Sequence, residues 1–384
     1  MTHPARADVA ATLRENHPEL DLRIVMDPEP DQPPWVVRTF REGWQAADRS
    51  ASHHLLLQDD VLLCEDFALH LNHAVRSMPH AAISLFADWS ARNSAMVRLA
   101  ALTGASWAPV IGRFAPTQGM VLPSDVAASL VEYLSNGGAI PGEPEDITVL
   151  RFFKSRGIQS VIAVPNIVEH RDIPSIAGNT DLGLRLSACF SNPLSADHEW
   201  NSEVLNTSVV PYLRWDTGEA CCLVESETGK PWDFVKSRPW LTQHGMTAEV
   251  LLAPVLRDRQ VSRLLSCMST DIEPRFLEEI ALVGVLTALV AKDLGHCSRA
   301  RVSPQPKEWA PIAGQALDSL APGMLRSFLD MSVIDEHRSS LNLLTRRSSA
   351  LGSQTTWPRS ALGTASKTPG QPPAEAAQSP RGPH

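Results

Sequence analysis

Between residues 5 and 86 the chain switches repeatedly between two hydrophobic periodicities, and this alternation limits the fold more than any other feature. Residues 5–16 place Val9 and Leu13 four apart, the spacing of one helix face. Residues 21–26 then predict a strand, which ends in Asp27-Pro28 and gives way to a Pro-rich loop over 28–34. Val36, Phe40 and Trp44 recur at intervals of four within a helix predicted over 35–47. After the turn signal Asp48-Arg49-Ser50, the run Leu55-Leu56-Leu57 predicts a buried strand that ends in Gln58-Asp59-Asp60. A helix over 67–78 and a strand over 82–86 continue the series. Such an order belongs to an α/β fold, a mostly parallel sheet flanked by helices.

The pattern persists further along. Two short strands are expected within 106–122 around a loop at 113–117, followed by a helix that Pro123-Ser124-Asp125 opens, that runs through Tyr133 and that Asn136-Gly137-Gly138 ends. Pro144-Glu145-Asp146 opens a helix that closes before Gly157, and residues 160–164 predict a strand leading to His170. From about 190 the strands thin out and helical spacing dominates. Residues 191–345 are therefore expected to form a mainly helical second domain. From 346 the sequence is rich in Ser, Pro, Gly and Ala, and 346–384 is expected to be a disordered tail. The chain opens on a helix, whereas a doubly wound domain begins with a strand. Met1 to Arg6 resembles the end of such a strand, so the start is either late or lacks its first strand.

Composition excludes several classes. A net charge of −9 without a basic patch argues against nucleic-acid binding. The six cysteines form no CxxC pair and are too few for a disulfide scaffold, which fits a reducing cytoplasm. No apolar segment follows Met1–Arg6 as a signal peptide would require, and the longest apolar run, 280–291, is too short to span a bilayer. There is no GxGxxG, GxxxxGK[ST], GxSxG or HExxH.

What remains is a set of polar residues at the ends of elements: Asp27, Gln58-Asp59-Asp60, Glu145-Asp146 and His170. In open α/β sheets ligands bind beyond the carboxyl ends of the strands. Adjacent carboxylates repel unless a cation lies beside them, and a hard divalent ion is the usual answer. Asp59-Asp60 is read either as such a site or as a turn after a strand. Glu145 and Asp146 could simply favour a helix N-terminus, and His170 could be an ordinary loop histidine.

In this order the elements resemble glycosyltransferases of the GT-A type, over residues 1–190. The resemblance implies that Gln58-Asp59-Asp60 stands for the acidic motif that holds Mn2+ or Mg2+ against the diphosphate of a nucleotide sugar. Asp60 and Asp59 would be metal ligands, with His170 completing the site. Asp27 would touch the nucleotide, with Gln58 and Asp59 beside the donor. Asp146 or Glu145 would be the catalytic base toward an acceptor hydroxyl. Pro165 to His170 with Ser175 and Gly178 is similar to the family's C-terminal segment. Gln58 departs from the commoner acidic first position. The helical half is expected to choose the acceptor or a partner protein. Two other readings stay open: a transferase-like binding protein without activity, and a metal-dependent phosphoesterase.

Overall fold

The computed structural model describes residues 1–48, 50–174, 176, 183–226, 231–298 and 309–355. A 3-10 turn at Pro4–Arg6 runs into α1 (Ala7–Asn16), followed by α2 (Val36–Gln45), β1 (His53–Leu57), β2 (Val61–Leu63), α3 (Phe67–Ser77) and β3 (Ala82–Ser84). Next come α4 (Arg92–Thr103), β4 (Trp107–Pro109), β5 (Gly119–Pro123), α5 (Ser124–Tyr133), α6 (Glu145–Arg156), β6 (Ser160–Ala163) and β7 (Val168–His170). The second half holds β8 (Val209–Leu213), β9 (Ala220–Glu225), β10 (Trp232–Lys236), α7 (Ser237–Gln243), α8 (Ala248–Arg257) and α9 (Arg259–Met268). It ends with α10 (Pro274–Ser298), α11 (Trp309–Asp318), α12 (Leu320–Leu325) and α13 (Met331–Gln354).

The class is α/β, but the main sheet is mixed rather than mostly parallel. Its order is β1-β5-β3-β6-β4. Only β3 and β6 pair in parallel, while β1–β5, β3–β5 and β4–β6 are antiparallel. Strands β1, β3 and β6 therefore point one way, and β5 is wedged between the first two in the opposite sense. Local periodicity reports that a segment is a strand and carries no information on which neighbour it pairs with. The consequence is functional: the carboxyl ends of β1, β3 and β6 share one sheet edge with the amino end of β5.

The strand expected over 21–26 forms no ladder. Only Thr2 and Met26 make a parallel bridge, with Thr2 N–H donating to Val25 O at 2.9 Å and Asp27 N–H to Thr2 O at 2.9 Å. On the other side the Met1 ammonium donates to Leu57 O at 2.7 Å. The first residues thus lie between the 22–26 segment and β1, and three residues are too few to extend the pairing.

Alternation along the pleat divides the core. Leu56, Ala82, Met120 and Leu122 face α2, α5 and α6, where Phe40, Trp44, Leu130, Phe152 and Phe153 fill one layer. Leu57, Ile83 and Val121 face the other layer, which continues without a break into the second half of the chain. The expected boundary near 190 is therefore not a break in the core. That half is mainly helical, and β10-β9-β8 form an antiparallel sheet within it. Helix α4 lies at the junction and is buried from Asn93 to Ala101. Arg98 of α4 is itself buried. It donates from Nε to Ala316 O (3.1 Å) and from Nη2 to Trp89 O (2.6 Å) and Ser319 O (3.1 Å). A guanidinium on the carbonyls near the end of α11 satisfies groups that the helix cannot pair itself.

The tail expected from 346 begins inside α13, which continues to Gln354 with Ser348, Ser349 and Gly352 buried. Small residues let α13 approach α10 closely. A Cβ on Gly352 would lie 2.6 Å from Val285 O, and one on Gly284 would lie 3.1 Å from Ser348 Cβ. Residues 356–384 lie outside the described residues, as do Ser175 and Gly178. Among the described residues no helix is long and apolar enough to cross a membrane.

Candidate functional site

A cleft of about 500 Å³ opens at the sheet edge described above. Its lining includes Asp27, Gln58, Asp59, Asp60, Glu145 and Asp146. Five elements bring these together: the loop after residue 26, the end of β1, the end of β3 through Asp88, the approach to β5, and the first turn of α6. His170 does not line the cleft. It lies one layer behind, opposite Val61 in the two-stranded β2–β7 ladder, and only 4% exposed. That ladder sets His170 Nε2 3.5 Å from Asp60 Oδ2.

The cation beside the two aspartates is Arg6. Its Nη1 lies 3.2 Å from Asp59 Oδ1 and 3.1 Å from Asp60 Oδ2, and its Nη2 donates to Pro174 O. Thr2 Oγ1 donates to Asp59 Oδ2 at 2.5 Å. Asp60 Oδ1 is buried without a hydrogen-bond partner. Arg185 Nη2 donates to His170 Nε2 at 3.3 Å. Burial pushes the His170 pKa down, against the opposing pull of Asp60.

These residues do not fit a resident Mn2+ or Mg2+. A hard cation of this kind takes about six oxygen ligands. Here Arg6 occupies the bridging position, Arg185 occupies the imidazole nitrogen nearest Asp60, and one free carboxylate oxygen remains on Asp60. Among the described residues no group of three or more His, Cys, Asp or Glu is arranged to hold a metal ion.

Asp27 is also satisfied within the protein. Arg38 of α2 donates to both its oxygens at 3.3 Å, and Glu29 N–H to Oδ1 at 3.1 Å. Arg38 further donates to Glu29 O and Pro33 O, so this pair ties down the Pro-rich loop that walls the cleft. The Gln58 amide donates to Thr117 Oγ1 and Glu145 Oε1 at 3.4 Å each, rather than standing free for a donor.

The acidic pair of α6 is asymmetric. Glu145 points inward and accepts from Thr117 Oγ1 at 3.0 Å, and burial raises its pKa. Asp146 faces the cleft with a buried Oδ1 that has no partner. Burial and then the adjacent Glu145 raise the Asp146 pKa to about 7. A carboxyl that titrates near neutrality beside a cleft is suited to taking up a proton.

Several lining residues carried no signal in the sequence. Arg6 is 54 residues from Asp60, and no spacing rule joins them. Arg326, in the connection after α12, reaches Asp88 at 2.9 Å. Trp215, at the tip between β8 and β9, is 64% exposed and lines the cleft. An exposed Trp inside Arg214-Trp215-Asp216-Thr217-Gly218 is the one clue the sequence offered, because a hairpin tip gives a large aromatic nothing to pack against.

No family model, curated protein or solved structure matches this chain.

Proposed function

We propose that the protein is a glycosyltransferase that moves a sugar from a nucleotide-sugar donor to an acceptor hydroxyl in this cleft. The observation that carries the reading is Asp146, a carboxyl with an unpartnered buried Oδ1 and a pKa of about 7, facing a cleft that Arg185 also lines. In the reaction, Asp146 accepts the proton of the acceptor hydroxyl as its oxygen attacks the anomeric carbon. The bond to the nucleoside diphosphate breaks with its electron pair on the departing oxygen. A single base of this kind fits inversion at the sugar carbon. Glu145, fixed by Thr117, keeps its neighbour's proton affinity high. Trp215 and Trp35 offer aromatic faces for a sugar or base ring.

The test is to incubate the full chain with a panel of nucleotide sugars and simple sugar acceptors, and to measure release of nucleoside diphosphate. Transfer that Asp146→Asn abolishes while donor binding is kept supports the reading. Absence of turnover with every donor, together with no donor-dependent rise in melting temperature, overturns it. Donor binding without turnover would favour the second reading, a transferase-like binding protein, toward which the Arg6 contacts on Asp59 and Asp60 lean.

A further inference from the structure

Among the described residues three guanidinium groups line the cleft, and they are not equivalent. Arg6 is committed to Asp59 and Asp60. Arg326 is committed to Asp88 and, through Nη1, to Leu184 O at 2.8 Å. Arg185 lines the same cleft, and its hydrogen bond is to the imidazole of His170. Among the described residues it has no carboxylate partner. An imidazole nitrogen satisfies one N–H and cancels none of the charge. A positive charge with no carboxylate partner among the described residues therefore lines the cleft, with donors of its planar fork left for a ligand.

We propose that Arg185 is the anchor for a phosphoryl group, and that its guanidinium takes the part of a divalent cation toward a diphosphate in this cleft.

Three observations lead there. The bridging place between Asp59 and Asp60, where a metal would neutralise both carboxylates, is filled by Arg6 from within the chain. The contacts from Arg6 through Asp60 and His170 to Arg185 form one continuous line, of 3.1, 3.5 and 3.3 Å. The aspartates thus position one guanidinium and, through His170, lie beside the next. The field of Arg185 also reaches Glu145, Asp146 and Arg326. A phosphoryl group on Arg185 would therefore sit within the electrostatic range of the proposed base. Guanidinium forks match phosphate oxygens in pairs, and in a site sheltered from water such contacts are stronger than those between neutral groups. The inference rests on the transferase reading only for the identity of the phosphoryl groups as part of a leaving nucleoside diphosphate.

The experiment uses inorganic pyrophosphate as probe and the full chain, with binding measured by calorimetry in EDTA and again with Mn2+. The expected result is binding in EDTA that Mn2+ does not strengthen, weakened tenfold or more by Arg185→Gln and partly restored by Arg185→Lys. A measurement independent of any variant is protection of Arg185 from phenylglyoxal by pyrophosphate, read by mass spectrometry. Binding that requires Mn2+, an Arg185→Gln protein that binds as the wild type does, Arg185 left unprotected, or no binding at all each overturns the inference. If pyrophosphate stays unbound while a nucleotide sugar is turned over, only this inference fails. When pyrophosphate binds through Arg185 and no donor reacts, it is the transferase reading that fails.

Discussion

The guanidinium of Arg6 lies 3.1 Å from the carboxylate of Asp60, in the place where two adjacent acids would otherwise hold a metal ion. The same nitrogen is 3.2 Å from Asp59, so one internal cation relieves the repulsion of the pair. Exchange of Arg6 for Gln should release the carboxylates and leave them short of positive charge. We expect the wild type to show little rise in melting temperature with Mn2+ alone, and Arg6→Gln to melt lower in EDTA and gain a distinct Mn2+-dependent rise. Replacing Asp60 by Asn in the Arg6→Gln background should remove that gain. An equal Mn2+ response in wild type and Arg6→Gln would show that Arg6 does not stand in the cation's place.

Asp146 gives a pH dependence of known sign. Its pKa is about 7 in the folded chain against 3.8 when unperturbed, so between those values the native state keeps a proton that the unfolded chain has released. Its contribution to stability therefore falls as pH rises from about 4 to 7 and stays low above that. Asp146→Asn removes an ionisable group whose charged form is poorly solvated. At about 1.4 kcal/mol per pH unit, the variant should be more stable than wild type by a few kcal/mol at most at pH 8, with the gap closing toward pH 4. Melting curves across that range test it, and a constant gap would mean that the carboxyl does not titrate there. Activity should move in the opposite sense: wild-type kcat/KM climbs through pH 7 as the base form appears. The variant should lose about 100-fold or more, the usual scale for a missing general base.

Much of this site was legible because strand ends announce themselves. The run Leu55-Leu56-Leu57 stops at a polar triplet, and the acids of α6 follow a proline, so both were placed from local pattern alone. What the sequence hid falls into four kinds. The reversed direction of β5 is a matter of pairing, which no local pattern encodes. Helix α4 is covered on all sides, so it has no polar face to reveal a period. Strand β8 contains Pro211, and the β9 strand that pairs with it contains Cys221-Cys222, which masked the small sheet. Arg6, Arg185 and Trp215 reach the cleft from distant parts of the chain, and only the fold brings them there.

Composition misled most plainly at the end of the chain. Residues 346–354 are rich in Ser, Gly and Ala, which suggested a tail, yet those small side chains are what lets α13 settle on α10. A chain ending after Thr345 should melt well below one ending after Thr355, because it loses the turns that carry Ser348, Ser349 and Gly352. Gly352→Val in the full chain should also be destabilising, since its Cβ would meet the Val285 backbone rather than a movable side chain. Equal melting temperatures for the two truncated chains would mean that the last turns of α13 add nothing to the packing.

The final expectation concerns Trp215. Buried tryptophans such as Trp44 and Trp107 fill the core, but Trp215 is 64% exposed at a hairpin tip and lines the cleft from the second half of the chain. The tip itself is well held. Arg214 N–H donates to Glu219 O and Gly218 N–H to Arg214 O, Arg214 pairs with Asp216, and the guanidinium lies 5.3 Å from the Phe234 ring centre. A rigid support under an exposed indole favours stacking at low entropic cost, because little remains to be ordered on binding. Trp215→Ala should therefore leave the melting temperature within about a degree of wild type, as surface changes away from packing contacts do. Loss of one stacking face, of the order of 0.5–1.5 kcal/mol, should raise KM for acceptor or donor by about two- to tenfold. Steady-state kinetics with each substrate varied in turn would show which of the two stacks there. Unchanged KM for both would remove Trp215 from the site. A large fall in melting temperature would mean that the indole supports the hairpin rather than a ligand.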